Sequence, residues 1–416
     1  MTDLETDVLI LGAGLQGAGV ALELASRGVA VTVVEQDAVA CNRASLRNEG
    51  KIHLGFIYAN DSSRATAFLQ LEGALAFRAI VGRWLGADGG WLATSTRFHY
   101  LVANDSVLAP DALAAHYEAV EARCRERLAA DRSLDYLGTR PGRLFERLSD
   151  AELSAHFDRG RFLAGFGTEE LAIDTEVLAA SLRRALSAHP RITLRCGHTV
   201  RAIERQGGGF RVEGDGASGV WRAAARQVVN STWERRFVFD RQLGLEPPAD
   251  LLHRLKYRVI ARVPRELHGA PSVSMVLGRY GDVVIRRDGT AYLSWYPSAL
   301  RGWTHDLDPP REWDAPCRGE VDPALARQIS EGILSGIGGW YTGMSRSEVV
   351  QVDAGAIVAI GRSDVHDAGS ALHDRTRIGT SSRDGYHSVD PGKLTTAPLF
   401  AVRVADAVEA IDPVRR

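Results

Sequence analysis

The chain has 416 residues, of which 45% are hydrophobic and 25% are charged, and its formal net charge is -2. This length is enough for two or three domains with large cores. The near-neutral charge gives no electrostatic reason to expect nucleic acid or an acidic membrane surface as a partner. Because no window reaches the roughly 20 apolar residues of a membrane span, we also predict no transmembrane segment.

The four cysteines, Cys41, Cys124, Cys196 and Cys317, are scattered along the chain without a Cys-x-x-Cys pair. This spacing indicates neither a metal site nor a disulfide framework. The first residues have no basic stretch before their short apolar run, so they are typical of a strand and not of a signal peptide. We therefore expect a cytoplasmic protein with reduced thiols and no bound metal.

Lysine is scarce in this chain. Among the 50 lysine and arginine residues, only Lys51, Lys256 and Lys393 are lysines. Where arginine serves nearly every surface position, a remaining lysine is a candidate for a place where a compact point charge matters. The base composition of the genome is an alternative explanation of the same skew.

The first thirty-five residues carry a dinucleotide-binding pattern. An apolar strand-like run, a turn with Gly12, Gly14 and Gly17, an Ala/Leu-rich helical stretch and a second strand ending on Glu35 follow one another. In such a unit Gly12 makes the tight turn, Gly14 lets the backbone approach a pyrophosphate, and Gly17 lets helix and strand pack closely. The helix N-terminus faces the phosphates, and Glu35 accepts the ribose hydroxyls. We predict a dinucleotide cofactor here.

Two further segments narrow the choice of cofactor. Ser45-Leu-Arg-Asn-Glu-Gly-Lys-Ile-His-Leu-Gly-Phe56 follows the second predicted strand, and Gly392-Lys-Leu-Thr-Thr396 opens the last predicted helix. With them the sequence resembles the D-amino-acid-oxidase-like superfamily of FAD enzymes, nearest to its glycerol-3-phosphate dehydrogenase and L-2-hydroxyglutarate oxidase branch. In that branch the Ile-His-x-Gly loop lies against the flavin ring. The resemblance therefore implies FAD as the cofactor.

The resemblance also implies an α/β fold in which a discontinuous, Rossmann-like FAD-binding domain is combined with a second, α+β substrate domain built on an antiparallel sheet. The implied FAD-binding domain comprises residues 1–90, 170–235 and 345–416, and the substrate domain comprises residues 91–169 and 236–344. Residue patterns predict helices at 62–85, 111–131, 174–188 and 323–336, strands at 256–263, 272–277, 282–287 and 290–296, and a long loop at 298–320.

The candidate FAD-binding residues come from the glycine-rich turn, the end of the second strand, the loop after it, the returning β-meander and the last helix start. They are Gly12, Gly14, Leu15, Gln16, Gly17, Glu35, Gln36, Ser45, Arg47, Asn48, Glu49, Gly50, Val200, Gly392, Lys393, Leu394 and Thr395. Lys393 is the candidate for the positive charge that a reduced flavin needs beside its N1/C2=O edge. The alternative is a solvated lysine at a helix N-terminus.

His53 is the candidate general base, because the unperturbed pKa of histidine lies near neutrality. The alternative is a structural imidazole that packs on the flavin. Lys51 shares a face with His53 if the segment is extended. It is a candidate to lower the pKa of His53 or to bind a substrate anion, against a simple phosphate or surface contact.

On the substrate side the chain departs from the glycerol-3-phosphate branch. Two arginines of that branch correspond here to Ile57 and Ile357, which argues against glycerol 3-phosphate, while a third basic position survives near Arg375. Because a guanidinium is the usual clamp for a carboxylate, arginines on the predicted sheet and near its end are candidates for substrate binding, together with one tyrosine. These candidates are Arg286, Arg362 and Tyr257.

The function predicted from these residues is an FAD-dependent dehydrogenase or oxidase. It transfers a hydride to flavin N5 from a small polar CH–OH substrate, such as a hydroxy acid or a polyol derivative, and passes electrons to oxygen or a quinone. The alternative is an oxidase of a CH–NH substrate, an amino acid or a secondary amine, on the same scaffold. A neutral base such as His53 is needed more for an alcohol than for a neutral amine, which favours CH–OH. A flavin-binding regulator without turnover is the third possibility.

Overall fold

The computed structural model describes residues 3–278, 280–363, 370 and 374–411. The strands in this part of the chain are β1 (Asp3–Leu11), β2 (Val31–Val34), β3 (Lys51–Ile52), β4 (Phe98–Ala103), β5 (Phe145–Arg147), β6 (Phe162–Thr168), β7 (Leu171–Ala172), β8 (Ile192–Arg195), β9 (Thr199–Gln206), β10 (Gly209–Gly216), β11 (Gly219–Asn230), β12 (Leu251–Arg262), β13 (Ser272–Met275), β14 (Asp282–Ile285), β15 (Thr290–Leu293), β16 (Leu300–Thr304), β17 (Glu348–Ile360), β18 (Gly379–Arg383) and β19 (Tyr386–Asp390). The α-helices are α1 (Leu15–Ser26), α2 (Ala65–Leu85), α3 (Pro110–Ala130), α4 (Asp150–His156), α5 (Thr175–Ala188), α6 (Arg236–Gln242), α7 (Tyr296–Ala299), α8 (Asp314–Arg318), α9 (Pro323–Gly338) and α10 (Ala397–Ile411).

The first large sheet has the strand order β18-β19-β11-β1-β2-β8, with β9 and β10 attached through β11. Its central strand β1 runs parallel to β11 and to β2. Val8 and Ile10 of β1 pack with the helices, whereas Leu9 and Leu11 pack with the meander residues on the other side. Both faces are therefore covered, which is why this strand is a continuous apolar run.

The second large sheet is mainly antiparallel and has the order β16-β12-β15-β14-β13-β4-β6-β5, with β17 also paired to β12. The β12–β17 ladder runs from Leu251↔Ile360 to Arg262↔Glu348. These two sheets confirm the predicted fold class, a Rossmann-type domain combined with a second domain on an antiparallel sheet.

Two predicted boundaries differ from the structure. The range 345–416 assigns β17 to the FAD-binding domain, but β17 pairs along β12 and belongs to the antiparallel sheet. The predicted loop 298–320 contains the edge strand β16 and helix α8. Strand β16 has only 5 residues, and an edge strand this short carries too few alternations for its period to stand out.

Other predicted elements are confirmed within a few residues. Helices α2, α3, α5 and α9 lie where the apolar spacing predicts them. The Asp174 carboxylate caps α5 by accepting the amides of Glu176 and Val177. Helix α2 is long and apolar enough to cross a membrane by length and composition alone, but 56% of its most apolar stretch is buried inside the protein. It packs against α1, α3 and α10, as a core helix does.

Candidate active site

The predicted dinucleotide turn lies where β1, β2 and β11 end side by side. Gly12 has a φ of 88°, and a Cβ there would lie 2.8 Å from the carbonyl oxygen of Ser231. A Cβ at Gly17 would lie 1.9 Å from the carbonyl oxygen of Gly12, so helix α1 can approach β1 only through glycine. The Ser45 hydroxyl accepts the Leu15 amide at 2.7 Å and joins the loop after β2 to the helix start. This leaves a cradle without side chains at the N-terminus of α1.

Glu35 directly follows β2 and lies beside this cradle. Its carboxylate accepts the amide of Ala13 at 2.7 Å and the amide of Asp37 at 2.9 Å. Burial raises the pKa of Glu35, and these two amides oppose the rise. A carboxylate held in this way at the end of the second strand is placed to accept ribose hydroxyls.

A single cavity runs from this cradle to His53. Most of the candidate cofactor residues line it, namely Gly12, Gly14, Leu15, Gln16, Glu35, Gln36, Ser45, Arg47, Asn48, Glu49, Val200, Gly392, Lys393 and Leu394. The catalytic candidates Lys51 and His53 line the same cavity. The residues thus form a continuous groove that fits a dinucleotide at one end and a small molecule at the other.

Three of the candidate cofactor residues stand behind the lining. Gly17 packs helix against strand, as described above. Gly50 has a φ of 75°, and a Cβ there would lie 2.1 Å from the carbonyl oxygen of Ile173. The Thr395 hydroxyl accepts the amide of His53 at 2.9 Å and donates to the carbonyl of Lys51 at 3.2 Å. These residues shape the site without facing the cavity.

His53 lies between two carboxylates. Its Nδ1 is 3.7 Å from Oε1 of Glu170, and its Nε2 is 3.9 Å from Oε1 of Glu49. Pairing of β3 with β7 brings Glu170 to this place, because Ile52 is opposite Leu171. The hydroxyl of Tyr100 and the amide of Leu54 donate to the Glu170 carboxylate. An imidazole between two acids is suited to take up a proton, since both acids favour its charged form.

All three lysines of the chain line this one cavity. The Lys51 ammonium is 2.8 Å from Asp282 and also donates to the Ser274 hydroxyl. The Lys393 ammonium is 3.8 Å from Glu49. Lys256 lies on β12, is 8% exposed, and places its ammonium over the ring of Tyr296 at 5.1 Å. The scarcity of lysine in the sequence therefore marks one site.

The charges at this end of the cavity act on one another. Burial alone would raise the pKa of Glu49, but Lys393, Lys256 and Lys51 lower it to about 2. Burial lowers the pKa of Lys393 to about 8, opposed by Glu49 and reinforced by Arg375. Glu49 is therefore ionised at neutral pH. Its negative charge keeps the pKa of Lys393 above neutrality, so that Lys393 is still mostly charged there.

The structure places the three substrate candidates outside the lining of this cavity. Arg286 forms an ion pair with Asp174 at 3.4 Å, Arg362 is exposed, and neither lines the cavity. Tyr257 also lies outside the cavity lining and packs in the hydrophobic core behind it. Its neighbour Lys256 faces the site instead, because successive residues of a strand point to opposite faces.

Several residues of the site are missing from the candidates drawn from the sequence. They are Arg43, His198, Ser231, Arg254, Lys256, Tyr280, Asp282 and Tyr296 in the cavity lining, and Glu170 behind His53. Only Lys256 carries a signal in the sequence, through the scarcity of lysine. Arg375, the surviving basic position, lines the cavity, as do Ile57 and Ile357. The adjoining Leu372 and His373 lie outside the described residues.

Comparisons with known proteins agree with this geometry. The family model described as DAO, FAD dependent oxidoreductase, matches residues 7–330. No curated protein sequence matches the chain significantly.

Among solved structures, glycine oxidase from Geobacillus kaustophilus is similar over 98% of this chain and 95% of its own, with a TM-score of 0.70 and 16% identity. L-alpha-glycerophosphate oxidase from Mycoplasma pneumoniae with FAD bound is similar over 97% of this chain and 94% of its own, with a TM-score of 0.62 and 19% identity. L-amino acid deaminase from Proteus myxofaciens is similar over 99% of this chain and 91% of its own, with a TM-score of 0.66 and 16% identity. At these identities the likeness concerns the fold.

Proposed function

The chain belongs to the DAO family of FAD-dependent oxidoreductases, and from that premise we propose that it oxidises a small polar CH–OH compound, such as a hydroxy acid. The observation that carries the proposal is His53 between the carboxylates of Glu170 and Glu49, at 3.7 and 3.9 Å. An alcohol proton is poorly acidic, so its removal needs a base whose protonated form is stabilised. Glu49 provides that stabilisation, and Glu170 adds to it once it has lost its own proton.

The residues for the cofactor follow from the cavity lining. The cradle at Gly12 and Gly14 would hold the pyrophosphate, Glu35 would hold the ribose, and Lys393 would provide positive charge to the reduced flavin. The chemistry that FAD supplies when bound is the acceptance of a hydride from the substrate carbon. His53 takes the hydroxyl proton onto a ring nitrogen and later releases it to solvent. Oxygen or a quinone is our proposal for the electron acceptor.

Oxidation of a CH–NH compound is the second candidate, since glycine oxidase and L-amino acid deaminase share the fold. An ammonium substrate would need an acid in the cavity that is free to bind it. Both acids that line the inner end already hold lysines, because Glu49 is paired with Lys393 and Asp282 with Lys51. This pairing favours the alcohol over an amine that binds as its ammonium.

Anaerobic mixing of the FAD-loaded protein with panels of 2-hydroxy acids, amino acids and secondary amines tests the proposal. We expect a member of the hydroxy acid panel to bleach the flavin absorbance. In His53→Gln the bleaching rate falls by roughly 100-fold or more, the usual contribution of a general base. His305→Gln is the matched control, because His305 lies outside the cavity lining. We expect the bleaching rate of this variant to stay that of the wild type. Bleaching by amines alone would overturn the proposal in favour of the second candidate.

A further inference from the structure

Lys256 is buried in the cavity, and among the described residues no carboxylate lies within ion-pair distance of it. Strand β12 places it and Arg254 on the face that lines the cavity. Lys51 and Lys393 each have a carboxylate within ion-pair distance, at 2.8 and 3.8 Å. Among the described residues no carboxylate forms such a pair with Lys256, which is only 8% exposed. Burial alone would lower the pKa of Lys256, but its two tyrosine neighbours and the more distant Glu49 and Asp282 raise it, so the ammonium stays charged and lacks only a close counter-ion.

Two aromatic rings partly compensate this burial. The Lys256 ammonium lies 5.1 Å from the ring centre of Tyr296 and 5.7 Å from that of Tyr292. Cation–π contacts contribute about 0.5–2 kcal/mol each, whereas the effective cost of burying an ion is several kcal/mol. The rings therefore orient the ammonium without replacing a counter-ion.

The remaining charges of the lining also leave room for an anion. Eight lysine and arginine side chains line the cavity against four glutamate and aspartate side chains. The pyrophosphate of a bound FAD supplies two negative charges at the nucleotide end. At the other end, Lys51 and Lys393 are already neutralised by Asp282 and Glu49. Two positive charges remain to be matched there, those of Lys256 and of Arg375, and Arg375 already donates a hydrogen bond to the carbonyl of Val358.

Building on the proposed function, we propose that Lys256 binds the carboxylate of the substrate, which makes the substrate a small 2-hydroxy monocarboxylate. A lysine is a compact point charge that suits a single carboxylate, whereas a phosphate calls for several forked donors. At two positions where the glycerol-3-phosphate branch carries arginines, this chain has Ile57 and Ile357, and both line the cavity. These two isoleucines offer the substrate apolar contacts in place of a second cation.

Calorimetric titration of the FAD-loaded protein with unreactive carboxylates tests this assignment. The probes are propanoate, hexanoate and phenylacetate, each compared with its uncharged amide. We expect the wild type to prefer at least one carboxylate over its amide. In Lys256→Met the affinity for that carboxylate falls roughly 10- to 100-fold, the loss expected for a hydrogen bond to a charged group. The affinity for the amide stays nearly unchanged, and Lys256→Arg recovers part of the preference.

Arg301→Met is the matched control, because Arg301 is an exposed cation on the adjoining strand β16. Its preference for carboxylates stays that of the wild type. An unchanged carboxylate preference in Lys256→Met overturns the assignment, as does the absence of any preference in the wild type. A Lys256→Met protein that binds carboxylates normally but reoxidises slowly would assign the lysine to the electron acceptor instead. Flavin bleaching by amines alone, with the carboxylate preference intact, overturns the CH–OH chemistry but not the role of Lys256.

Discussion

Glu170 shows how a single buried residue links stability to chemistry. Its side chain is fully buried, and burial raises the pKa of the carboxyl to about 7 from 4.5, although Lys51, Tyr100 and the amide of Leu54 oppose the rise. Glu170 therefore exchanges its proton near neutrality, next to the imidazole that we assign as the base. A carboxyl of this kind stabilises a charged His53 only after it has lost its own proton.

The sign of the effect of Glu170 on stability follows from its raised pKa. Above pH 4.5 the unfolded chain releases this proton while the native protein keeps it, so the native state loses stability until the pH passes about 7. The full loss is about 3 kcal/mol. In Glu170→Gln this contribution is absent. Between about pH 5 and about pH 8, the free energy of unfolding in urea should therefore fall less in Glu170→Gln than in the wild type.

The control for this comparison is Glu126→Gln, whose side chain is 65% exposed in its ion pair with Arg123. Its pH dependence should follow that of the wild type, because an exposed pair contributes little. If Glu170→Gln and the wild type lose stability in parallel over this pH range, then Glu170 is ionised throughout and the raised pKa is wrong.

At the scale of elements, one hydroxyl joins two segments that are far apart in the sequence. The Thr395 side chain, just before α10, makes hydrogen bonds to the backbone of Lys51 and His53 at 3.2 and 2.9 Å. These bonds set the position of β3 and hence of the His53 imidazole. The start of the last helix thus positions the base as well as the charge of Lys393.

Thr395→Val removes both hydrogen bonds while keeping the shape of the side chain. We expect the free energy of unfolding to fall by about 1–3 kcal/mol, because the His53 amide is left unsatisfied in a buried place. The rate of flavin bleaching should fall as well. Thr396→Val is the matched control, since its hydroxyl bonds only within its own segment, to the carbonyls of Pro391 and Lys393. Equal bleaching rates in the two variants would show that Thr395 does not position His53.

At the scale of the whole molecule, a buried ion-pair cluster ties the antiparallel sheet to the loop after β2. Arg258 on β12 pairs with Asp353 on β17 at 2.6 Å and donates to the carbonyl of Leu46 at 2.9 Å. Arg47 pairs with the same Asp353 at 3.3 Å. Since Asp353 is fully buried, the cluster links the antiparallel sheet to the loop after β2 through one buried carboxylate.

Asp353→Asn removes the negative charge and leaves two buried guanidinium groups without it. We expect the free energy of unfolding to fall by about 3–5 kcal/mol, the usual cost of breaking a buried pair. Asp406→Asn breaks the ion pair of Arg27 with Asp406, whose side chain is 61% exposed. It should lower the free energy of unfolding by less than about 1 kcal/mol. Urea unfolding of both variants measures the difference, and similar small losses would show that the cluster contributes little to joining the two sheets.

How far the sequence predicts this molecule depends on the range of the interactions involved. The turn from Gly12 to Gly17 and the capped helix α5 are predictable, because their signals are local. The face of β12 is not, because its residues from Leu251 to Ala261 are all buried and alternation cannot distinguish Tyr257 from Lys256. Glu170 reaches His53 only through the pairing of β3 with β7. No local pattern marks such a long-range contact.

The gathering of the three lysines into one cavity also determines how this protein responds to amine chemistry. Apart from the amine at the N-terminus of the chain, every primary amine of this sequence belongs to the site. Acylating reagents that usually modify protein surfaces would reach the lysines of the folded enzyme only through its active site, and a bound ligand would shield them. Unfolding would expose these amines together, so that acylation of this chain reports ligand occupancy and loss of structure rather than surface accessibility.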